Sequence, residues 1–328
     1  MQIVCVDSEA GIGSIAGEWT ALWRRVPDAT PFQSPSWLLA WWRHFAAGTA
    51  QILTAGSAGA LVGVLPLYRR REGKLVKLLP IGIGLSDYID ALTDRRCTGV
   101  ADALLAAAAD LPAWTECHLP DLPAGAALTA ARCPPGLEEG GGPSVPCPVL
   151  ALPPARDELG RVVPRKTLRD LRQAGSRAAA RGPVEIDRAE GDEIDRTMAE
   201  LFRLHEKRWR HRGENGVVAD PAVRAFHRGA ARALGAAGML RLYRLAVEGE
   251  VMAVYYGFAH GGRAYAYLGG FDPDEKQLSP GALIMRHAIE AAIGEGASEF
   301  HFLRGGETYK YAWGARDRWS TARTLRRQ

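Results

Sequence analysis

The second half of this 328-residue chain repeats the pattern of predicted elements found in its first half. Alternating apolar residues and glycine turns in the second half predict strands at 240–247, 251–259 and 263–270, a helix at 280–294 and a strand at 299–303. The first half shows the same order, with strands at 51–55, 61–70 and 75–80, a helix at 96–110 and a strand at 114–119. An amphipathic helix precedes the strands of each half, at 35–45 and 193–212. The repeat predicts a tandem duplication, although such patterns also recur by chance because few α/β topologies exist.

A segment rich in proline and glycine at 119–154 separates the two halves, because it contains too many helix breakers to carry a long helix. We therefore expect two domains, at 1–155 and 156–328. Each is expected to be an α/β (α+β) domain with a mixed, mostly antiparallel sheet flanked by helices. Residues 149–152 are apolar and could form a short strand that returns to the first domain.

Charge and cysteine usage limit the classes of partner and cofactor. A formal net charge of +4 is weak for a dedicated nucleic-acid binder, so recognition of a polyanion requires a local cluster of arginines. The five cysteines are scattered and lack C-x-x-C spacing, which predicts reduced thiols and no metal site. The N-terminal residues do not form a secretion signal, and the longest apolar run, 103–109, is far shorter than the roughly 18–20 residues of a membrane span. We expect a soluble, cytoplasmic protein.

A strand end followed by a helix start predicts a phosphate-binding site in the second half. Ser279 is expected to cap the helix, Pro280 has no N–H to lose, and Gly281 allows an anion close to the backbone. The preceding strand ends in glycines that favour separation from its neighbour and pairing with an extended ligand. An ordinary capped helix is the alternative. The residues that we expect to bind the donor are Leu268, Gly269, Gly270, Gln277, Ser279, Gly281 and Ala282.

The Tyr309-Lys310-Tyr311 segment follows the last predicted strand and the flexible pair Gly305-Gly306. In an acyl transfer, Lys310 would stabilise the developing oxyanion, and Tyr309 or Tyr311 would protonate the leaving group. The alternative is a strand that buries its aromatic rings and exposes its lysine.

Three residues of the predicted helix at 193–212 share one face by their i, i+3 and i+4 spacing: His205, Arg208 and Trp209. An amine nucleophile has to lose a proton, and His205 is the best-placed imidazole to accept it, with Glu206 and His301 as weaker candidates. A structural histidine packed on Trp209 is an equally good interpretation. Arg208 and Trp209 are expected to contact the acceptor.

The segment 161–181 predicts a basic helix with a stripe of Arg165, Lys166, Arg169 and Arg172. We expect Arg165 and Arg169 to contact the phosphates of a donor or acceptor, or the acceptor stem of a tRNA. A solvated helix face is the alternative.

The element order resembles that of GCN5-related N-acetyltransferases (GNAT), and two copies in one chain resemble the FemAB-like aminoacyltransferases. The chain is most similar to GNAT-like proteins of the CelD or BioF-like acetyltransferase type. Motifs that carry this resemblance occur in the family's order at 31–37, 86–90, 204–209, 279–281 and 306–314. The chain departs from the family at Pro280, where the pyrophosphate signature usually has glycine, and at His301, where relatives often have Asp.

The resemblance implies an N-acyltransferase that moves an acyl group from acyl-CoA, such as acetyl-CoA, to an amine by direct attack and without a metal. The acceptor would be a small molecule or a cell-envelope or secondary-metabolite precursor. Because no Ser-Pro-Gly helix start follows Asp87 and Tyr88 in the first half, we expect a donor site in the second domain only. A degenerate first domain would contribute Asp87 and Tyr88 to the acceptor cleft; an ordinary turn there is the alternative. Transfer from an aminoacyl-tRNA is a second hypothesis, and a non-catalytic scaffold is a third. The oligomeric state, monomer or homodimer, is not predicted.

Overall fold

The computed structural model describes residues 1–46 and 48–327. Its helices are α1 (Glu9–Arg25), α2 (Pro35–Phe45), α3 (Val100–Asp110), α4 (Ala127–Ala130), α5 (Arg165–Arg181), α6 (Glu193–Arg210), α7 (Pro221–Ala236), α8 (Pro280–Gly294) and α9 (Thr308–Tyr311). Its strands are β1 (Gln2–Val6), β2 (Thr49–Ser57), β3 (Ala60–Glu72), β4 (Leu75–Pro80), β5 (Leu92–Thr93), β6 (Glu116–Leu122), β7 (Leu137–Gly141), β8 (Val145–Ala151), β9 (Val184–Arg188), β10 (Leu240–Val247), β11 (Glu250–His260), β12 (Arg263–Phe271), β13 (Glu299–His301) and β14 (Arg316–Arg327).

The chain divides into two compact units. Unit 1 contains residues 1–146 together with residues from 318 onward, and unit 2 contains residues 147–317. The predicted boundary at 155 lies a few residues beyond this division, and the structure assigns most of the last strand, β14, to unit 1. The roles assigned to the two predicted domains stay predictions.

The sheet of unit 1 is built around an antiparallel meander. β1 pairs with β2, β2 with β3 and β3 with β4, all antiparallel. Helix α3 then leads to β6, which lies parallel to β4 and antiparallel to β14. The helix packs its apolar face on the sheet through Val100, Leu104 and Leu105, which are all buried.

The sheet of unit 2 has the same order. β9 pairs with β10, β10 with β11 and β11 with β12, all antiparallel. Helix α8 then leads to β13, which lies parallel to β12 and antiparallel to β8. Each unit is therefore a mixed, mostly antiparallel sheet flanked by helices, and the predicted fold class is confirmed.

One predicted strand pairs differently from the expectation. Residues 149–152 were expected to return to the first domain, but Val149 to Ala151 pair with His301 to Glu299 in unit 2. In the topology of the two sheets, β8 in unit 2 takes the place that β14 takes in unit 1.

Helix α8 shows why the sequence folds as it does around the site. Its apolar residues recur three to five positions apart, so one face is buried in the core of unit 2. That face consists of Ile284, Ala288, Ile289, Ala292 and Ile293. It packs with buried side chains of the sheet such as Leu245, Met252 and Phe300. This packing fixes the start of α8 beside the end of β12.

Among the residues that the structure describes, no helix is both long enough and apolar enough to cross a membrane.

Candidate active site

A cleft of about 610 Å³ opens in unit 2, a volume within the range of small-molecule sites. It lies among the second half of β12, the start of α8, the first turns of α5, the end of α6 and α9. Most of the surface is apolar, and the charged and phenolic side chains in its lining are Lys166, Asp170, Arg208, Arg212, Tyr255, Tyr267, Lys276 and Tyr309. The predicted residues Leu268, Gly269, Gly270, Ser279, Gly281 and Ala282 also line it.

Strands β12 and β13 separate beside this cleft. Their parallel pairing ends at Tyr265 and His301, whereas the pairing of β12 with β11 continues as far as Phe271. Among the described residues, the second half of β12 therefore pairs with β11 on one side and with no strand on the other, which leaves one open edge. An extended ligand can pair its amide groups with such an edge.

The two glycines near the end of β12 have different roles. A Cβ on Gly270 would lie 2.9 Å from the backbone N of His205 and 2.9 Å from the carbonyl O of Leu201, so Gly270 allows α6 to pack closely. A Cβ on Gly269 would meet its nearest atom, the carbonyl O of Val254, at 3.7 Å. Gly270 therefore serves the packing of α6 on the sheet, and the backbone of Gly269 stays accessible in the cleft.

The start of α8 differs from the expected cap. Ser279 occupies the N-cap position with φ 49°, in the left-handed region, and its hydroxyl donates to the Lys276 carbonyl instead of accepting from the first turn. The predicted side-chain cap is therefore wrong. The N–H groups of Ala282 and Leu283 donate to the Ser279 carbonyl. Gly281 is then the residue of the first turn whose N–H has no acceptor among the described residues, and it is available to an anion.

Gln277 does not line the cleft. Its side chain is exposed, and its carbonyl accepts a hydrogen bond of 2.6 Å from Arg177 Nε. Phe271 does line the cleft, and Gly281 packs against it: a Cβ on Gly281 would lie 2.8 Å from the Phe271 ring. Sequence reasoning missed Phe271 because this contact joins a strand end to a helix start across a loop.

Arg208 lies over Phe271, with its guanidinium carbon 4.5 Å from the ring centroid. Its Nε is buried without a hydrogen-bond partner in the described part of the chain. Burial lowers the pKa of the guanidinium, and the charge of Arg212 lowers it further. An unpaired cation in a mostly apolar cleft is a binding site for an anion or a developing negative charge.

Tyr309 lines the cleft from α9, which is a short helix and not the strand of the alternative interpretation. Its side chain is 49% exposed, yet burial and the nearby Glu307 raise its pKa to about 12, against the opposing charge of Arg208. Tyr309 is therefore a neutral proton donor at physiological pH. Tyr311 instead donates to Asp317 across 2.7 Å.

Lys310 is turned away from the cleft lining and is 2% exposed. Its Nζ donates to the carbonyls of Leu303, Arg304 and Gly305 at 3.2, 2.8 and 3.0 Å, and it lies 2.8 Å from the carboxylate of Glu307. Because these acceptors take its protons, Lys310 holds the loop before α9. The expected contact of Lys310 with an oxyanion is not what the structure shows.

His205 is also turned away from the cleft, toward the inner side of α6. It is 2% exposed, and its Nε2 accepts a hydrogen bond of 2.9 Å from Trp209 Nε1. Burial lowers the pKa of His205 to about 4, with a smaller contribution from Arg208. The predicted common face is therefore split, because His205 and Trp209 pack together while Arg208 faces the cleft. The structure supports the structural interpretation of His205 over that of a base.

The weaker candidate bases lie outside the cleft lining as well. His301 is buried, its Nε2 lies 3.0 Å from a carboxylate oxygen of Glu299, and its ring stacks on Tyr265. Glu206 forms ion pairs with Arg210 and Arg224. Among the described residues that line the cleft, Asp170 is the one with a carboxylate, and it pairs with Lys166 Nζ at 2.7 Å.

Helix α5 presents different residues to the cleft than expected. Arg165 is exposed and outside the cleft lining, and Arg169 lines a shallow groove of about 510 Å³ together with Arg172 and Arg177. Lys166 and Thr167 line the cleft instead. Helical spacing predicted the basic stripe, but it did not reveal which edge of the stripe faces the cleft.

The predicted acceptor residues Asp87 and Tyr88 lie in a loop of unit 1. Tyr88 is buried with its ring edge against Phe32, and Asp87 is half-buried. Asp90 nearby accepts from the backbone N–H groups of Ala127 and Leu128 and so caps α4. The contact of Asp87 and Tyr88 with an acceptor stays a prediction. The described residues contain no group of three His, Cys, Asp or Glu side chains that could hold a metal ion.

Comparisons with known proteins agree with this architecture. Residues 165–311 match the family described as an acetyltransferase (GNAT) domain, and no curated protein matches the chain. The chain is similar to a structure of FemX with 13% identity and a TM-score of 0.71, over 98% of this chain and 97% of that chain.

Two further solved structures share the fold. The first, the C-terminal domain of a putative lysylphosphatidylglycerol synthetase from Agrobacterium fabrum, has 12% identity and a TM-score of 0.60, over 95% of this chain and 92% of that chain. The second, a tandem GNAT protein from the clavulanic acid biosynthesis pathway, has 15% identity and a TM-score of 0.51, over 98% of each chain.

Proposed function

We propose that this chain, whose residues 165–311 form a GNAT-type acyltransferase domain, moves an acyl group from acyl-CoA to an amine by direct attack. The observation that carries the proposal is the open edge of β12, which leads to the free N–H of Gly281 at the start of α8. The acceptor is the amine of a small molecule or of a cell-envelope or secondary-metabolite precursor.

The shape and charge of the cleft suit the parts of an acyl-CoA. The backbone of Leu268 and Gly269 offers hydrogen bonds to the amides of a pantetheine arm. The positive end of α8 and the N–H of Gly281 attract its pyrophosphate. Because Pro280 has no N–H and Ala282 donates to Ser279, this helix start offers few donors. The cations of Lys166, Lys276 and Arg212 compensate for the missing donors.

The residues at the other end of the cleft suit the chemistry of the transfer. The amine attacks the thioester carbonyl, a C–N bond forms, and the C–S bond breaks when the tetrahedral intermediate collapses. Tyr309 lines this end of the cleft and is protonated at neutral pH, so its hydroxyl is the group that gives a proton to the leaving thiolate. Arg208 places a positive charge at this end of the cleft, where Lys310 was expected to place one.

The proton of the attacking amine leaves to water in this proposal. His205 is buried and has a pKa of about 4, and His301 is buried against Glu299, so neither imidazole faces the cleft. An amine that arrives protonated has to lose its proton before attack. The rate is therefore expected to rise with pH until it passes the pKa of the amine itself.

A second candidate function, transfer from an aminoacyl-tRNA, is favoured by one observation. Arg169, Arg172 and Arg177 form an exposed basic groove on α5, the helix that also contributes Lys166 to the cleft. In this alternative, the phosphate backbone of the tRNA follows the groove, and its aminoacylated end enters the cleft. The structural likeness to FemX is consistent with this alternative but does not identify a donor.

Ligand-dependent melting separates the two donors. A CoA ester at 100 times its Kd should stabilise the protein by about 2.7 kcal/mol. Lys166→Gln should reduce this shift, whereas Arg165→Gln, a matched change on the outer side of the same helix, should preserve it. Release of free CoA with a panel of amines then tests turnover. If no CoA ester raises the melting temperature, and charged tRNA is retained at low salt but lost at high salt, the tRNA hypothesis replaces this one.

A further inference from the structure

We propose that Arg208 is a specificity-determining residue that binds a carboxylate beside the reacting carbonyl, so that one of the two substrates carries that carboxylate. This inference rests on the proposed acyl transfer and adds the chemical class of the substrate to it.

The first step of the argument is that Arg208 has no partner of its own. A neighbouring arginine of the same helix, Arg210, forms an ion pair with Glu206. Arg208 forms no ion pair with any described residue, and its Nε is buried without a hydrogen-bond acceptor. A buried polar group without a partner destabilises a folded protein, so its presence calls for a ligand that completes its hydrogen bonds.

An acidic group whose charge acts on Arg208 is already paired. Glu307 is the N-cap residue of α9, two residues before Tyr309, and its charge raises the pKa of Arg208. The carboxylate of Glu307, however, lies 2.8 Å from the Nζ of Lys310. Lys310 thus holds the acid that would otherwise neutralise Arg208, and the guanidinium stays available on the cleft side.

The guanidinium is also held in place before any ligand binds. It stacks on the Phe271 ring at 4.5 Å, and Phe271 packs on Gly281 at the start of α8. A guanidinium fixed by stacking presents its N–H groups as a planar fork, which matches the two oxygens of a carboxylate. The loss of side-chain entropy on binding is small for the same reason.

The position of Arg208 points to the reacting end of the substrates. Its charge acts on Tyr309, the proposed proton donor to the leaving group. The phosphates of an acyl-CoA would instead lie near the free N–H of Gly281 and the lysines of the cleft rim. A carboxylate on Arg208 is then attached either to the amine, as in an amino acid, or to the acyl group, as in a dicarboxylic acyl donor.

The test measures binding and does not depend on turnover. The methyl group of Met285 lines the cleft and can be followed by NMR in the full chain labelled at its five methionines. The probes are N-acetylglycine, which has its carboxylate on the amine side, and N-methylsuccinamic acid, which has it on the acyl side. The neutral amide of each probe is its matched control.

Wild-type protein should bind one of the two acids more tightly than its amide, by about 10- to 100-fold, the range expected for a charge-assisted hydrogen bond. Arg208→Gln should abolish that preference, Arg208→Lys should retain part of it, and Arg210→Gln should leave it unchanged. The acid that shows the preference identifies the substrate that carries the carboxylate.

Two outcomes would overturn the inference. In the first, each acid and its amide bind with equal affinity, so that they shift the Met285 resonance at the same concentrations, or the preference for an acid survives in a folded Arg208→Gln protein. In the second, Arg208→Gln weakens binding of CoA itself and leaves the acids unaffected, which would assign Arg208 to the donor phosphates. If wild-type protein prefers an acid but binds no CoA, the carboxylate site stands and the acyl-CoA donor is wrong.

Discussion

The Nζ of Lys310 lies 2.8 Å from the carboxylate of Glu307, and this pair of a buried lysine and an exposed glutamate closes the loop that leads into α9. The same Nζ donates to three carbonyls, so removal of the side chain leaves several buried acceptors and one carboxylate without a partner.

Lys310→Ala is therefore expected to destabilise the protein by about 1–3 kcal/mol, the usual cost of leaving buried hydrogen-bond acceptors without a partner. Thermal and denaturant unfolding measure this, with Lys74→Ala, a change at an exposed lysine, as the control. A Lys310→Ala protein with an unchanged melting temperature and a large loss of kcat would return Lys310 to the catalytic role that the sequence suggested.

Gly269 and Gly270 provide a matched pair of substitutions on one strand. Gly270→Ala should destabilise unit 2 by about 1–3 kcal/mol, because its Cβ would press on the backbone of α6 at 2.9 Å. Gly269→Ala should leave the melting temperature within about 1 °C, since its Cβ meets nothing closer than 3.7 Å. The affinity for CoA should fall more in Gly269→Ala than in Gly270→Ala, because the accessible backbone in the cleft is that of Gly269. Equal melting temperatures for the two variants would contradict this division of roles.

His205 should make the fold sensitive to acid. Its pKa in the folded protein is about 4, below the ordinary 6.5, so the unfolded chain takes up a proton first as the pH falls. The stabilisation is complete above about pH 6.5 and is lost as the pH falls toward 4, by at most about 1.4 kcal/mol per pH unit.

His205→Gln keeps an acceptor for the indole N–H of Trp209 and removes the titration. Its melting temperature should fall less steeply than that of wild-type protein between pH 6.5 and 4.5, while His44→Gln, at an exposed histidine, should follow wild type. Its pH-rate profile should keep the wild-type shape. If the pH-rate profile of wild-type protein shows an apparent pKa near neutrality, and this pKa is absent only from the profile of His205→Gln, His205 is the base.

Tyr309→Phe should lower kcat by about 100-fold while the affinity for CoA stays within about twofold, because the hydroxyl acts on the leaving group and the ring remains. Release of CoA and a CoA titration measure the two effects. Tyr311→Phe is the matched control on the same helix, since its hydroxyl binds Asp317. A similar loss of kcat in both variants would point to disturbance of α9 as the cause.

Local sequence patterns predicted the elements that have strong periodicity or clear breakers. α2, α8 and β10 have the predicted bounds, because Pro35 and Pro280 start helices and Glu248-Gly249 forms a turn. The alternative interpretation of the segment around Lys310 as a strand is wrong. Alternation of aromatic residues over three positions resembles a strand, but the chain enters α9 after a loop whose Leu303 and Gly305 have positive φ.

The roles of side chains depended on contacts that are distant in sequence. His205 is buried partly because Gly216 comes so close that a Cβ there would clash with its ring. Arg208, three residues after His205 on the same helix, instead lines the cleft and stacks on Phe271. Helical spacing placed these residues near one another, but only the tertiary packing separates the buried imidazole from the cation in the cleft.

The central claim is that the cleft of unit 2 binds the acyl donor, and a crystal structure of the chain with acetyl-CoA tests it most directly. We expect the pyrophosphate at the N–H of Gly281, the pantetheine arm along Leu268 and Gly269, and the sulfur within hydrogen-bonding reach of the Tyr309 hydroxyl. A CoA molecule bound outside this cleft, or strand β13 occupying the edge of β12 when CoA is bound, would contradict the claim.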